Sequence, residues 1–180
     1  MDEAGIDPEL LLEQVVDPAD LPSVAGAGIY AICLTDPDRL PLITAGKRGL
    51  LYVGMTEQGF DARNHFTHQH SGFSTFRRSI GAILKGKLGL TAIPRSGGAS
   101  QTNVRNYRFT DDGEQALTRW MNANLRIAQM ALPCDIASQE KQLISLLEPP
   151  LNLTGWSNPQ AGLIKRMRAG CVDEAGRGRA

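Results

Sequence analysis

Glu140 is the residue whose placement asks for an explanation. Ile136, Leu143, Ile144 and Leu147 mark the apolar stripe of a helix that begins at Asp135, and the position four residues after Ile136 belongs to that stripe. The sequence puts a carboxylate there. Turned toward a core without a partner it would be costly, so Glu140 must be matched by a cation of the protein, stand at a cleft edge or bind a metal ion. Glu148, near the end of the same helix, shows no such anomaly. Two phenols, Tyr30 in Gly28-Ile29-Tyr30 and Tyr52 in Tyr52-Val53-Gly54, lie in short apolar runs, followed by Arg63 nine residues beyond Gly54. Taken singly, the tyrosines read as sheet aromatics, Arg63 as a surface cation and Asn152 as a turn residue after Pro150. Their joint occurrence is what points to chemistry.

The elements that must position these side chains follow from periodicity and punctuation. Pro8 to Val16 has helical apolar spacing behind Asp7, an N-cap followed by proline at the first helical position. Gly28 to Leu34 and Gly49 to Gly54 read as two neighbouring strands joined through a Pro- and Asp-rich connection. Phe60 to His70 is expected to be helical, and a second helix carries Phe76, Ile80, Ile83, Leu84 and Leu88 behind Ser74 and Thr75, with Arg78 and Lys85 away from its apolar stripe. Ile93 to Asn103 has the composition of an exposed loop, and Tyr107 to Thr110 that of a strand. Asp111 and Glu114 suggest a capping box opening a helix with Leu117, Trp120 and Met121 on its buried face. Leu125 to Leu132 is a further strand, and the Asp135 helix stops at Pro149 and Pro150. The tail after Trp156 holds a possible helix, then a Gly-, Arg- and Ala-rich end expected to fray. Irregular alternation with hairpin-like joins favours an α+β layer structure over a doubly wound parallel sheet.

Composition bounds the rest. The 180 residues carry 19 Lys+Arg against 19 Asp+Glu, with 42% hydrophobic and 6% aromatic residues, an ordinary domain that needs no disulfide or metal staple. Cys33, Cys134 and Cys171 lie far apart with no ligand spacing, which excludes a zinc knuckle and suggests buried or inert thiols in a reducing, cytoplasmic compartment. No long apolar run and an acidic start fit neither a membrane span nor a signal peptide. Net charge of zero would discourage nucleic-acid binding, but its distribution reverses that: from Ala62 to Thr110 there is no acid, against eight Lys and Arg and all three histidines. The same segment offers no evident base-stacking platform.

GIY, then YVG, then Arg63, then Glu140 in EKQLISLLEPPLN ending at Asn152 resemble the ordered motifs of the GIY-YIG nuclease superfamily. Val53 replaces the isoleucine of the name motif, and the long segment between Arg63 and Glu140 suggests an elaborated, restriction-enzyme-like member. The resemblance covers roughly Gly26 to Asn158. It implies a small, mostly antiparallel sheet flanked by helices: an N-terminal helical extension over 1–25, the nuclease domain over 26–158 with an inserted basic segment at about 64–110, and a C-terminal helix and flexible tail over 159–180. It further implies a metal-dependent endonuclease cutting DNA phosphodiesters. Tyr30 would be the general base and Tyr52 its support, Arg63 would favour the phenolate and grip the phosphate, and Glu140 would hold one divalent ion, Mg²⁺ or Mn²⁺. Asn152 would position Glu140 or the tyrosines, and Gly28 and Gly54 would permit close backbone approach. Some members pair the helix arginine with a histidine one turn later; here that position is Thr67, leaving His65 and His68, with His70 a further candidate. Arg77, Arg78 and Lys85 are candidate substrate contacts. A homodimer or a specificity partner could supply sequence recognition, and the other readings are an RNA-cleaving or structure-selective nuclease and a non-catalytic nucleic-acid-binding module.

Overall fold

The computed structural model describes residues 6–61, 65–66, 70–96 and 100–177, and the chain divides into two compact units. The first comprises Met1–Arg39, Ile43–Asn64 and Asn124–Pro159; the second comprises Leu40–Leu42, His65–Ala123 and Gln160–Ala180. Among the described residues no helix is long and apolar enough to cross a membrane.

In the first unit α1 (Pro8–Glu13) starts as its sequence dictates, with the Asp7 carboxylate accepting from the Glu9 N–H at 2.9 Å. β1 (Gly28–Leu34), β2 (Leu50–Thr56) and β5 (Leu125–Ala131) form an antiparallel sheet in the order β2-β1-β5. Register places Tyr30 opposite Gly54 and Gln129, and Ile32 opposite Tyr52 and Ile127. Side chains alternate across a sheet, so Tyr30 and Tyr52 share one face while Ile29, Ala31, Cys33 and Val53 share the other. The latter face packs against Leu11 and Leu12 of α1 and against Leu143 and Ile144 of α5 (Ile136–Leu147). All seven residues of β1 are buried, as befits the central strand.

The second unit holds α2 (Thr75–Leu88), β3 (Ala92–Ile93), α3 (Gln101–Arg105), β4 (Arg108–Phe109), α4 (Asp111–Asn124, whose last residue passes into the first unit) and α6 (Ala161–Arg177). β3 and β4 form a two-stranded antiparallel sheet. Gly81 lets α2 approach β4: a Cβ there would meet the Phe109 ring at 2.3 Å.

The α+β class with a small antiparallel sheet is as the resemblance implies. Several local expectations change. Of the helix expected over 60–70, residues 62–64 and 67–69 lie outside the described residues. The 93–103 segment, read as loop, contributes to β3 and begins α3. The tail continues as helix to Arg177, because Ile164, Cys171 and Ala175 are buried and give α6 an apolar anchor beyond the expected fraying point. Thr110, whose hydroxyl faces the Gly113 N–H at 3.4 Å, lies at the start of α4, and Glu114 is drawn inward instead of completing a capping box. Of the three thiols, Cys33 and Cys171 are buried but Cys134 is exposed. Burial pushes the Cys33 thiol up to about 12.

Candidate active site

The tyrosine face is built by register. Tyr30 and Tyr52 come from adjacent strands with ring centroids 6.2 Å apart and planes tilted by 36°. Gly54, directly opposite Tyr30, makes this arrangement possible. A Cβ on Gly54 would lie 2.5 Å from both Cζ and the hydroxyl of Tyr30 and 2.8 Å from the Tyr52 ring. The close approach expected at Gly54 is therefore an approach of phenol to backbone, with the Tyr30 ring laid across the glycine. At Gly28 the approach is between strands: a Cβ would meet the Met130 carbonyl oxygen at 2.1 Å and the Phe60 ring at 2.8 Å. Tyr30 is buried and Tyr52 half-buried.

Asn152 fixes the outer edge of this site. β2 is an edge strand, so the N–H and C=O of Val53 that face away from β1 need partners. The Asn152 carboxamide supplies both, its Oδ1 accepting from the Val53 N–H at 2.9 Å and its Nδ2 donating to the Val53 carbonyl at 2.8 Å. One residue earlier the Leu151 N–H donates to the Leu51 carbonyl at 2.9 Å. The loop after α5 thus closes the sheet edge as a strand would. Asn152 positions the residue between Tyr52 and Gly54, so its hold on the tyrosine face runs through the backbone. Sequence reasoning missed the support behind it. The Asn152 carbonyl accepts from Trp156 Nε1 at 3.1 Å and from Asn158 Nδ2 at 3.0 Å, and both also bond to the carbonyls of the proline pair, Pro149 and Pro150 respectively. Two side-chain donors shortly after a Pro-Pro stop are the signal that could have found them.

Glu140 is half-buried on α5, three and four residues before Leu143 and Ile144, which enter the core under Ala31 and Val53. That spacing puts it on the side of the helix that faces the sheet, as the broken stripe requires, but α5 packs on the Ala31 and Val53 face and the tyrosine rings lie on the other. Neighbouring Gln139 accepts from the Ile6 N–H at 3.1 Å, tying the start of α5 to the chain ahead of α1. Among the described residues no three or more His, Cys, Asp or Glu gather into a cluster. A half-buried carboxylate is chemically suited to a hard divalent cation. Arg63 and His68 lie outside the described residues.

The remaining expected contacts belong to the second unit, where most of them serve its structure. Arg77 is 1% exposed. Its guanidinium donates to the Glu114 carboxylate and to the Thr118 hydroxyl at 2.8 and 2.9 Å and to the His65 carbonyl at 2.8 Å, so it is occupied by protein acceptors in place of phosphate. Arg78, also buried, donates to the carbonyls of Ser71 and Gly72 and to the Thr75 hydroxyl, and burial lowers its pKa to about 10, leaving it charged at neutral pH. Lys85 pairs with Glu174 of α6 at 3.2 Å, and that carboxylate also accepts from the Ala92 N–H. Arg77 and Arg78 are thereby withdrawn from the surface, whereas Lys85 completes an ion pair inside its own unit with 34% of its side chain still exposed. His65 is buried, with Nδ1 3.0 Å from the hydroxyl of Ser74, the N-cap of α2, and its ring near Phe76. It is thus part of the α2 cap. The hub of the network is Glu114, for which local sequence suggests only a capping role. It accepts from the N–H groups of Ser71 and Phe109, from the Ser71 hydroxyl and from Arg77.

No curated protein and no solved structure matches the chain in searches of either. The sequence profile of the GIY-YIG catalytic domain matches residues 28–169, which begin at the first motif and extend past Asn152. With Tyr30 and Tyr52 facing one another over Gly54, the chain belongs to the GIY-YIG superfamily of nucleases.

Proposed function

We propose that this protein is a metal-dependent endonuclease that hydrolyses DNA phosphodiester bonds, with Tyr30 as the base acting on water and Tyr52 as its support. The observation that carries the reading is the tyrosine pair held over Gly54 within the matched domain. Hydrolysis needs an activated water, neutralised phosphoryl oxygens and a stabilised 3′ oxygen. A buried phenol is a weak base at neutral pH, so Arg63 is assigned the positive field that favours the phenolate and the grip on the scissile phosphate. Glu140 would hold a divalent ion, which GIY-YIG nucleases generally use, with Mg²⁺ or Mn²⁺ the best fit to one carboxylate. When bound, that ion offsets charge on the phosphate and the departing oxygen. Asn152 acts as a positioning residue for β2.

The experiment is plasmid nicking and linearisation over time by wild type, Tyr30→Phe and Glu140→Gln, with Mg²⁺ or Mn²⁺ and with chelator. Each variant should lose about 10²- to 10⁴-fold in rate while retaining DNA binding. Activity untouched by both substitutions overturns the assignment. Binding without cleavage by any form, on plasmid, single-stranded, branched and RNA substrates at one salt concentration, would make the protein a binding module.

A further inference from the structure

Phe73 is a large apolar side chain left 62% exposed in the second unit, and its surroundings are built. It ends the 3₁₀ turn Ser71–Phe73, which leads directly into the Ser74 cap of α2. The turn is held from below by the buried network: Ser71 donates through both N–H and hydroxyl to Glu114, and Arg78 donates to the carbonyls of Ser71 and Gly72. The Phe73 N–H donates to the His70 carbonyl at 3.2 Å. Around the ring stand the Arg95 guanidinium, 5.1 Å from the centroid, and the His70 imidazole, with centroids 4.9 Å apart. Gly72 makes room for both, since a Cβ there would meet Arg95 Cγ at 2.6 Å and His70 Nδ1 at 3.0 Å. Arg95 is itself anchored, its N–H donating to the Asn103 carbonyl at 3.0 Å.

We propose that Phe73, with Arg95 and His70 beside it, is a stacking platform for an unpaired or opened base of the nucleic-acid substrate; this rests on the nuclease reading above. A single exposed apolar residue needs no explanation. An exposed ring on a turn fixed by several buried hydrogen bonds is different, because presenting it to a ligand costs little further ordering. Every nucleobase has a π-face, so an aromatic ring flanked by a guanidinium binds bases with little regard to sequence. The carboxylate bonded to the turn, that of Glu114, is paired with Arg77 at 2.8 Å, and the Arg95 guanidinium beside the ring favours the adjoining phosphates.

Fluorescence anisotropy of the full chain in chelator, with a labelled 20-nucleotide single strand and the same strand in a duplex, tests the assignment. Phe73→Ala should weaken single-strand binding by about five- to a hundredfold with the salt slope unchanged, since stacking and not a phosphate contact is lost. Phe73→Trp should retain affinity and Phe73→Leu should not, while all three keep the wild-type thermal midpoint because the residue is exposed. A 2-aminopurine base in the strand should change fluorescence on wild type and not on Phe73→Ala. Equal binding by wild type and Phe73→Ala, or full rescue by leucine, overturns the stacking platform and leaves the nuclease reading intact. Wild type that binds no nucleic acid at low salt overturns both.

Discussion

The two units treat their polar residues in opposite ways. In the first, the hydrogen-bonded framework is backbone, and the tyrosines and Glu140 are carried on elements fixed by other means: register, Gly54, and the Asn152 clamp on Val53. In the second, charged side chains are themselves the framework. Arg77 and Glu114 join α2, β4, α4 and the 71–73 turn into one buried network, and Arg78 and Lys85 close further gaps. A run of positive charge along a sequence therefore does not amount to a positive surface. Burying a guanidinium is tolerated only where several acceptors meet it, and Glu114 with nearby carbonyls provides them.

The comparison makes substitutions in the two units separable. Arg77→Met should be the most damaging to stability, about 3–5 kcal/mol by chemical denaturation, because it leaves the Glu114 carboxylate buried without its cation. Tyr30→Phe should cost about 1–2 kcal/mol at most while removing cleavage. If Arg77→Met instead folds normally and loses only DNA binding, the contrast between the units fails. Gly28→Ala comes next, expected to cost roughly 2–3 kcal/mol because backbone at Met130 must move, an overpacking effect read as a lower denaturant midpoint. Gly54→Ala should be milder in stability and severe in cleavage, since its added methyl displaces a phenol and not a strand. Asn152→Ala removes both partners of buried Val53 groups and should cost about 1–3 kcal/mol, with cleavage falling in step as β2 loosens. Thiol labelling distinguishes buried from exposed sites: at pH 8 Cys134 should react at once, and Cys33 and Cys171 only on unfolding. With the Cys33 thiol raised from 9.0 to about 12, its contribution to stability is present below pH 9 and is lost as the pH rises toward 12. The smallest effect belongs to Glu148, which caps α5 in the left-handed region at φ 50° while exposed. Glu148→Gly should raise stability by up to about 1 kcal/mol, seen as a small rise in thermal midpoint.

Much of the site was legible because local signals and the site's needs coincide. β1 spans Gly28–Leu34 as its apolar run predicts, and Ser74 caps α2. Glu140 stood out because it interrupts a helical stripe, which needs only the periodicity of one helix. The chain's order of motifs was enough to relate it to its family, which the profile over residues 28–169 bears out. What one dimension could not carry is partnership. Whether an arginine meets a phosphate or a carboxylate depends on which acceptors the fold brings to it. Glu114 lies 37 positions from Arg77 and Asn152 lies 99 from Val53, distances over which no local pattern records a pairing. By itself the sequence determined most of the longer elements, the tyrosine strands and the misplaced carboxylate. Only the tertiary structure decided that Arg77, Arg78 and Lys85 bind acceptors of the protein itself, that Asn152 acts on a strand edge, and that the Phe73 ring is presented to solvent. The reason is physical: burial and hydrogen-bond satisfaction are properties of groups converging from distant segments.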